Sequence, residues 1–364
     1  MRDSGDLRIL VAPLDWGMGH ATRCIPVISE LLKQGVQVVI GADRGPLKVL
    51  REAYPELEFV RIPGPVITYR NKSFVLNMLR QTTAFIKGLQ QENELLSKII
   101  SDLSIGGVIS DNRLGLYSKK VPTVIMSHQL NLKFPFLSRS VNGINRILMN
   151  RFSNIWIPDF AGDIALSGEL SEYKNTMKPI FVGPLSRLTT TEIDEGIELP
   201  ENFSTCILSG PEPRRTMLEK KVLEGLERAS GTWVVVRGLP GETGTEKKGR
   251  HLILNYANSR ILKTIFSRTD WILSRSGYST VMDIVTMKKK AVFIPTPGQT
   301  EQEYLASYYQ EKNWYSKMDQ EAFNLIDAEK KWTKPRGFPI ESSGDGLLKT
   351  AVEDFIQLCR TSND

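Results

Sequence analysis

A glycine turn that carries a histidine stands between the first predicted strand and the first predicted helix, at residues 17–23 (GMGHATR). Gly17 and Gly19 let the backbone turn tightly and approach a ligand closely. The positive end of the helix dipole disfavours an imidazolium, so His20 is predicted to be neutral and able to act as a general base. Arg23, one helical turn further on, is a candidate to hold a phosphate or a carboxylate. The alternative is an ordinary strand-to-helix turn whose histidine caps the helix.

A second polar cluster lies further along the chain, in the turns that follow two consecutive predicted strands. The turn after the first of these strands combines small side chains, hydroxyls and a helix N-terminus, which favours anion binding, and consists of Ser276, Gly277, Tyr278, Ser279 and Thr280. Asp283, in the same helix, is placed to accept hydrogen bonds from a ribose diol. The turn after the next strand offers polar side chains for a sugar, namely Gln299, Thr300, Gln302 and Glu303. The alternative is two ordinary capped helices, with Ser279 or Thr280 as N-cap and Asp283 completing a capping box.

Three further candidates follow neighbouring strands of the first half. Asp111 is predicted either to orient His20 or to deprotonate an acceptor hydroxyl itself. Arg113 and His128 are predicted to contact a phosphate or the acceptor. The alternative for these residues is that they satisfy polar backbone groups of their own loops.

The elements that position these residues alternate between strand and helix in both halves of the chain. Such alternation is typical of parallel sheets with helices on both faces. We therefore expect an α/β protein of two Rossmann-like domains that face each other across a cleft, with ligands beyond the carboxyl ends of the strands. The predicted division is a first domain at 1–182, a linker at 183–203, a second domain at 204–335 and a segment at 336–364 whose helix packs toward the first domain. Within the second domain, residues 241–250 are predicted to form a surface loop.

Composition and charge narrow the class of protein. The chain has 364 residues, of which 41% are hydrophobic and 24% charged, as is typical of soluble globular proteins. It has neither a run of about 18 apolar residues nor a signal-peptide pattern. Its three separated cysteines predict a reducing cytoplasm and neither a disulfide framework nor a zinc site. The net charge of +6 fits an anionic ligand or a membrane surface, with a solvated basic surface as the alternative, and no nucleic-acid-binding signature is present.

The later cluster resembles the C-terminal signature of family 28 glycosyltransferases. The matching residues of that signature are Ser274, Arg275, Ser276, Gly277, Thr280, Asp283 and Gln302. The glycine-rich Gly-His turn in the N-terminal domain of the family is similar to Gly17, Gly19 and His20. The resemblance implies a GT-B fold and the transfer of a hexose from a nucleoside diphosphate sugar, usually UDP-linked, with no metal or other cofactor.

The resemblance also implies additional donor-binding residues, and this chain departs from the family at some of them. Ser209 and Gly210 stand where the family has a glycine-rich loop, and the backbone at Asn255 and Tyr256 is expected to meet the base. Asp283 replaces the glutamate that binds ribose in the family. Glu303 replaces a second glutamine of the family signature, so these residues do not assign the donor sugar or the acceptor.

These residues predict a metal-independent hexosyltransferase in which His20 or Asp111 takes the proton of the acceptor. Two alternatives stay open. One is a sugar-nucleotide hydrolase or epimerase, because the hydrolase of pseudaminic acid biosynthesis is also similar to this chain at Gly-x-Gly-His-x-x-Arg. The other is a non-catalytic nucleotide-sugar-binding protein.

The expected partners are a nucleotide sugar and a glycan or lipid-linked acceptor. Residues 133–152 mix apolar and basic side chains, which predicts peripheral contact with the inner face of an anionic membrane. The helix that carries Phe74, Met78, Phe85 and Leu89 is a second candidate for that surface. Core packing is the alternative for the apolar residues of both segments.

Overall fold

The computed structural model describes residues 7–15, 17–64, 74–132, 138–172, 178–239, 241–339 and 345–362, with the backbone alone described at 74–84, 138–140 and 345. Phe74, Met78 and residues 133–140 of the predicted membrane segment therefore have no described side chains. The chain divides into two compact units. The first comprises residues 1–161, 169–185 and 344–364, and the second comprises residues 162–168 and 186–343.

The first unit is built on a seven-stranded sheet in which every neighbouring pair is parallel. Its strands are β1 (Arg8–Pro13), β2 (Gln37–Ala42), β3 (Glu58–Arg61), β4 (Gly107–Asp111), β5 (Thr123–Met126), β6 (Asn154–Ile157) and β7 (Ile180–Phe181). They lie in the order β3-β2-β1-β4-β5-β6-β7, which is the Rossmann order with one added strand. The central strands are apolar along nearly their whole length because helices cover both faces of the sheet.

Five helices belong to the first unit, among the residues that the structure describes. They are α1 (Gly19–Lys33), α2 (Arg44–Ala53), α3 (Phe74–Asp102), α4 (Ser138–Met149) and α10 (Asp345–Thr361). Helix α10 returns from the end of the chain to this sheet, where the Phe355 ring meets Trp156 edge-on with 5.9 Å between ring centroids. Cys359 lies against Gly107, where a β-carbon would come within 2.5 Å of the sulfur. The last helix is thus part of the first core.

The second unit repeats the same arrangement with an added edge strand. Its strands are β8 (Ser204–Ile207), β9 (Trp233–Val236), β10 (Thr245–Lys248), β11 (His251–Leu254), β12 (Trp271–Ser274), β13 (Lys290–Phe293) and β14 (Ser316–Lys317). The order is β10-β11-β9-β8-β12-β13-β14, and all pairs are parallel except β10 with β11. The helices are α5 (Arg214–Gly225), α6 (Ser259–Arg268), α7 (Tyr278–Thr286), α8 (Thr300–Glu311) and α9 (Leu325–Lys331).

The expectation of an α/β protein with two Rossmann-like units is confirmed, but one local prediction is wrong. Residues 241–250 contain the strand β10, which pairs antiparallel with β11 through the backbone. Its sequence Thr-Glu-Lys-Lys has no apolar side chain because the strand lies at the exposed edge of the sheet. In the described part of the chain, no helix is both long and apolar enough to cross a membrane.

Candidate active site

The strand order of the first unit explains why His20 and Asp111 meet. The order reverses between β1 and β4, and a crevice opens at the carboxyl ends of strands where such a reversal occurs. Asp111 is the last residue of β4 and pairs in register with Pro13 of β1, while His20 lies in the first turn of α1. As a result, Nδ1 of His20 lies 2.9 Å from Oδ2 of Asp111, although the residues are 91 positions apart.

Asp111 is fully buried and shared by two partners. Nε of Arg23 donates to both of its oxygens at 2.9 Å, and a second guanidinium nitrogen pairs with Oδ1. Burial by itself would raise the pKa of Asp111, but the charges of Arg23 and His20 and the hydrogen bonds from both residues hold it below the ordinary value of 3.8. Asp111 is therefore ionised at neutral pH, with its oxygens bonded to Arg23 and His20.

The contacts of His20 decide which of its nitrogens is free for chemistry. When Nδ1 carries the proton and donates it to Asp111, Nε2 is unprotonated and can accept a proton. Nη2 of Arg23 also lies 2.9 Å from Nδ1, but it can donate there only in the opposite tautomer. The imidazole is 14% exposed, so a ligand can reach it.

The same cluster contains a second histidine and the glycine turn. Nδ1 of His128, which follows β5, lies 3.3 Å from Nη1 of Arg23. Gly17 has a φ of +71° with no atom within 4 Å of the position of a β-carbon, so this turn requires glycine for its backbone conformation. Gly19 begins α1. The structure thus brings His20 and Arg23 of the glycine turn together with Asp111, and His128 lies against Arg23.

The assignment of Arg113 to a phosphate or to the acceptor is wrong. Its side chain is buried, and the guanidinium pairs with Glu92 at 2.8 Å and donates to the carbonyls of Ile62 and Pro63. Arg113 therefore ties α3 to the loop after β3. Arg23 likewise has a protein carboxylate, Asp111, where the sequence predicted that it would hold a ligand anion.

In the second unit, the turn after β12 leads into α7, whose N-cap residue is a glycine. Gly277 is the N-cap of α7 and makes no side-chain cap hydrogen bond, so the alternative of Ser279 or Thr280 as N-cap with an Asp283 capping box does not hold. The positive end of the dipole of α7 lies at this turn. Tyr278 is buried, while Ser279 and Thr280 are half-buried.

Two side chains of this turn are bonded within the unit. Ser276 is buried and its hydroxyl donates to the carbonyl of Gln302 at 2.7 Å, which holds the turn after β12 against α8. Asp283 accepts a hydrogen bond from Ser186 at 2.5 Å. Burial raises the pKa of Asp283, although the Arg187 charge and the Ser186 hydrogen bond act in the opposite direction.

The polar residues around the start of α8 bond to their own turn. Gln302 accepts the N–H of Thr296 at 2.9 Å and donates to Gln299 at 2.5 Å. Glu303 accepts the N–H of Gly298 at 2.8 Å, while Thr300 is exposed as the first residue of the helix. These side chains must exchange local hydrogen bonds for those of a ligand before they can bind a sugar.

The remaining predicted donor residues follow β8 and β11. Gly210 is exposed, with a φ of +106°, and the carbonyl of Ser209 lies 3.5 Å from Nε of the buried Arg275. Asn255 accepts a hydrogen bond from Arg237 at 2.9 Å, and Tyr256 is half-buried beside it. Ser209 follows β8 and Ser276 follows β12, and the strand order of the second sheet reverses between these two strands.

Sequence reasoning missed the partners that fix these residues. Ser186, which bonds Asp283, lies 97 positions before it, and Glu92, which pairs with Arg113, lies on a helix read only for its apolar face. Neither has a local motif that could have revealed it. Among the described residues, no group of three or more His, Cys, Asp and Glu side chains is arranged to hold a metal ion.

A family model and the curated relatives of this chain both indicate a glycosyltransferase. Residues 245–343 match the glycosyltransferase family 28 C-terminal domain, which includes the turn after β12 and the start of α8. The chain is similar to an uncharacterized glycosyltransferase of Methanosarcina acetivorans, with 22% identity over 86% of this chain and 84% of the relative.

The name of a second relative states both its donor and its acceptor. It is the UDP-N-acetylglucosamine--N-acetylmuramyl-(pentapeptide) pyrophosphoryl-undecaprenol N-acetylglucosamine transferase of Buchnera aphidicola, with 23% identity over 82% of this chain and 81% of the relative. The chain is a family 28-like glycosyltransferase.

The fold of this glycosyltransferase is also that of solved enzymes. The spinosyn rhamnosyltransferase SpnG, complexed with thymidine diphosphate, has a TM-score of 0.59 at 13% identity and covers 98% of this chain and all of its own. At that identity the likeness shows the GT-B fold alone. The two Rossmann-like units of the glycosyltransferase are therefore those of the GT-B fold.

Proposed function

We propose that this glycosyltransferase moves a hexose from a UDP-sugar to a hydroxyl of a lipid-linked or glycan acceptor, without a metal ion. The observation that carries the proposal is the 2.9 Å contact between Nδ1 of His20 and the buried carboxylate of Asp111. The first unit supplies this base, and the second unit binds the donor.

His20 acts as the general base in this proposal. Its Nε2 takes the proton of the acceptor hydroxyl while the oxygen attacks the anomeric carbon of the donor, whose bond to the diphosphate breaks. Asp111 holds the imidazole in the tautomer that leaves Nε2 free, and it stabilises the imidazolium that forms. Because Arg23 keeps Asp111 ionised, the acquired proton stays on His20 and does not pass to the carboxylate.

The start of α7 binds the diphosphate of the donor in this proposal. Its N-cap, Gly277, has no side chain, and the positive end of a helix favours a bound phosphate group. Stabilisation of the charge that develops on the departing nucleotide lowers the barrier to transfer. Asp283 would accept the ribose hydroxyls, and Gln302 and Glu303 would bind the hexose after exchanging their local hydrogen bonds. Asn255 and Tyr256 would face the base.

The choice of a UDP-linked donor rests on the relatives. The Buchnera enzyme is named for a UDP-N-acetylglucosamine donor, and the spinosyn rhamnosyltransferase is complexed with thymidine diphosphate. Both ligands share the pyrimidine nucleoside diphosphate that the proposed site would hold. The lipid-linked acceptor likewise follows the pyrophosphoryl-undecaprenol substrate in the name of the Buchnera enzyme.

An apolar patch on α4 supports a lipid-linked acceptor. Ile144 and Ile147 are 56% and 64% exposed, and Arg146 and Arg151 stand beside them in the chain. A large apolar side chain that is more than half exposed is unusual for a core helix, and basic neighbours favour an anionic membrane. We propose that this patch touches the membrane in which the acceptor resides.

The membrane contact is tested by replacing both isoleucines with glutamate. The Ile144→Glu, Ile147→Glu variant is expected to lose most binding to vesicles of phosphatidylcholine and phosphatidylglycerol in co-sedimentation, because two charges would face the acyl chains. Ile193→Glu is the matched control, since Ile193 is 46% exposed in the second unit. An equal loss of vesicle binding in both variants, or no loss in the double variant, would exclude the patch as a membrane contact.

The reaction is tested by incubating the purified protein with a panel of nucleotide sugars, first without and then with acceptors. A thermal-shift screen of the same panel selects the donor, because a ligand of the native state raises the melting temperature. Release of nucleotide that depends on an acceptor hydroxyl supports the proposal. Free sugar released without acceptor indicates a hydrolase, and an isomerised nucleotide sugar indicates an epimerase. Binding without turnover, unchanged by replacement of His20, indicates a binding protein.

A further inference from the structure

An asparagine side chain is held in one orientation at the carboxyl end of β11. Oδ1 of Asn255 accepts a hydrogen bond from Nη1 of Arg237 at 2.9 Å. A guanidinium has only N–H donors, so the carbonyl side of the amide must face Arg237 and the NH2 side must face away from it. Nδ2 of Asn255 has no hydrogen-bond partner among the residues that the structure describes.

The arginine that orients this amide is itself fixed. Nε of Arg237 donates to Glu219, a buried residue of α5, and Glu219 also accepts a hydrogen bond from Arg215 at 2.8 Å. The buried carboxylate thus has two cationic partners, which compensate the loss of its hydration. Arg237 follows β9, the neighbour of β11 in the sheet, so Arg237 and Asn255 join two adjacent strand ends.

The backbone of Asn255 is occupied, whereas its amide nitrogen is accessible. The N–H of Asn255 donates to the carbonyl of Gly244 at 3.0 Å, and its own carbonyl accepts the N–H of Leu239 at 2.9 Å. Asn255 is half-buried, and Gly244 beside it is exposed. A β-carbon on Gly244 would lie 2.8 Å from Nδ2, so the glycine leaves this side of the amide open. The group that Asn255 offers to a ligand is therefore its NH2 donor rather than its backbone.

The order of strands in the second sheet indicates which part of the donor reaches Asn255. The strands β13, β12, β8, β9 and β11 are neighbours in that order and run parallel, so their carboxyl ends lie at the same end of the sheet. In the proposed function, the hexose lies after β13 and the diphosphate lies after β12. A nucleoside diphosphate sugar carries its base on the side of the diphosphate opposite to the hexose. The base therefore extends toward β9 and β11, where Arg237 and Asn255 lie.

We propose that Asn255 selects the base of the donor through its side-chain amide, an inference that rests on the proposed function. Its NH2 group donates to the 4-carbonyl of uracil, a group that thymine shares. Cytosine has an amino group at that position, which is itself a donor, so it leaves both groups unpaired. Arg237 is a positioning residue, since it prevents the amide from turning its carbonyl toward the base. The pair thus favours a 4-keto pyrimidine over cytosine.

The sharpest test is Asn255→Asp, which keeps the shape of the side chain and replaces the NH2 donor with an acceptor. Wild type is expected to bind UDP about tenfold more tightly than CDP, because a hydrogen bond made with uracil is lost with cytosine. In the variant, the UDP-to-CDP affinity ratio is expected to fall below one, since a carboxylate oxygen accepts from the amino group of cytosine. The added negative charge weakens the binding of both ligands and cancels in the ratio. Isothermal titration calorimetry with UDP and CDP measures this ratio.

Asn258→Asp is the matched control. Asn258 lies three residues further along, in the same turn between β11 and α6, where its Oδ1 caps α6 by accepting the N–H of Ile261 at 2.9 Å. Aspartate keeps this cap and adds the same charge, so the UDP-to-CDP ratio is expected to stay at the wild-type value. If Asn255→Asp leaves the ratio unchanged, or if Asn258→Asp lowers it equally, the inference is wrong.

The positioning role has its own variants. Arg237→Met keeps an unbranched side chain but cannot donate to Oδ1 of Asn255, so the amide is free to turn either way. The UDP-to-CDP ratio is therefore expected to fall toward one. Arg237→Lys, which can still donate to Oδ1, is expected to keep a ratio above one. A wild-type ratio in Arg237→Met, or a ratio near one in both variants, would exclude Arg237 as the residue that orients the amide.

Wild-type protein separates this inference from the proposed function. If it binds neither UDP nor CDP, both are wrong. If it prefers UDP and Asn255→Asp keeps that preference, the UDP-linked donor stands and Asn255 does not select it. If wild type binds CDP as tightly as UDP, the inference alone is overturned.

Discussion

Asp111 links Arg23 and His20, which lie three residues apart on one helix. Arg23 and His20 both face it because residues three apart share a side of the helix, and the carboxyl end of β4 ends under that side. The carboxylate is neutralised by Arg23 and still bonds Nδ1 of His20. The geometry therefore holds the imidazole of His20 against a carboxylate without leaving an unpaired buried charge.

Replacing His20 by glutamine should separate catalysis from binding. Glutamine cannot accept and return a proton, so kcat is expected to fall by about 10²–10⁴, while UDP affinity stays within about twofold because the donor residues lie in the other unit. His251→Gln is the control, since His251 lies in β11 and bonds backbone groups, among them the Trp233 N–H. Steady-state kinetics measures kcat and calorimetry measures the UDP affinity. A normal kcat in His20→Gln would exclude His20 as the base.

Asp283 gives a prediction that depends on pH. A carboxyl whose pKa is raised by folding destabilises the protein above its folded pKa, and this cost disappears below the unfolded value of 3.8. Asp283→Asn is thus expected to raise the melting temperature at pH 7 and to lose that gain as the pH falls toward 4. UDP affinity is expected to fall. Scanning fluorimetry against pH measures the first effect, and a pH-independent gain would contradict the assigned cause.

The residues of the site were predictable in type but not in partnership. Glycine, histidine and aspartate after buried strands indicated the cluster around His20, since strand ends meet at one edge of a parallel sheet. The roles of Arg23 and Arg113 were not predictable, because each pairs with a carboxylate far away in the chain. Only the strand order brings such pairs together.

At the scale of elements, the two sheets place their polar turns at equivalent positions. His20 follows β1 and Ser209 follows β8, and each of these strands is where the order of its sheet reverses. Alternation of apolar strands and amphipathic helices predicts this arrangement. It does not predict β10, whose pairing with β11 depends on backbone hydrogen bonds and leaves no apolar pattern in the sequence.

Helix α10 gives the test at this scale. Phe355→Ala is expected to destabilise the first unit by about 3–5 kcal/mol, because it leaves a cavity beside Trp156 in the core. Lys349→Ala, on the exposed side of the same helix, is expected to change stability by less than about 0.5 kcal/mol. Hydrogen exchange of β4 and β6 amides in urea reports the difference. A loss below about 1 kcal/mol in Phe355→Ala would mean that the helix is not part of the core.

At the scale of the whole molecule, the net charge of +6 should attract an anionic donor. The affinity for UDP is expected to weaken about two- to tenfold between roughly 0.05 and 0.5 M NaCl, as salt screens the attraction. Uridine is the control, since it carries no charge and its affinity should not change. Titrations at several salt concentrations measure this, and equal salt dependence for both ligands would exclude an electrostatic contribution.

The division into two units could be predicted from the repeated strand–helix pattern, but the path of the chain could not. Residues 162–168 lie within the first half of the sequence and belong to the second unit. There the carbonyl of Ala165 accepts a hydrogen bond from Tyr308 at 2.9 Å. A contact of this kind, between residues 143 positions apart, leaves no periodic signal in the sequence.

The return of α10 to the first sheet sets an order of events during synthesis. The nascent chain delivers the seven strands of the first sheet early, but the helix that covers Trp156 and Gly107 leaves the ribosome only after residues 186–339. The second unit, which is nearly continuous in sequence, can finish folding while the earlier one still waits for its final helix. The unit that starts first is therefore completed last, and until then the apolar face that α10 covers is exposed.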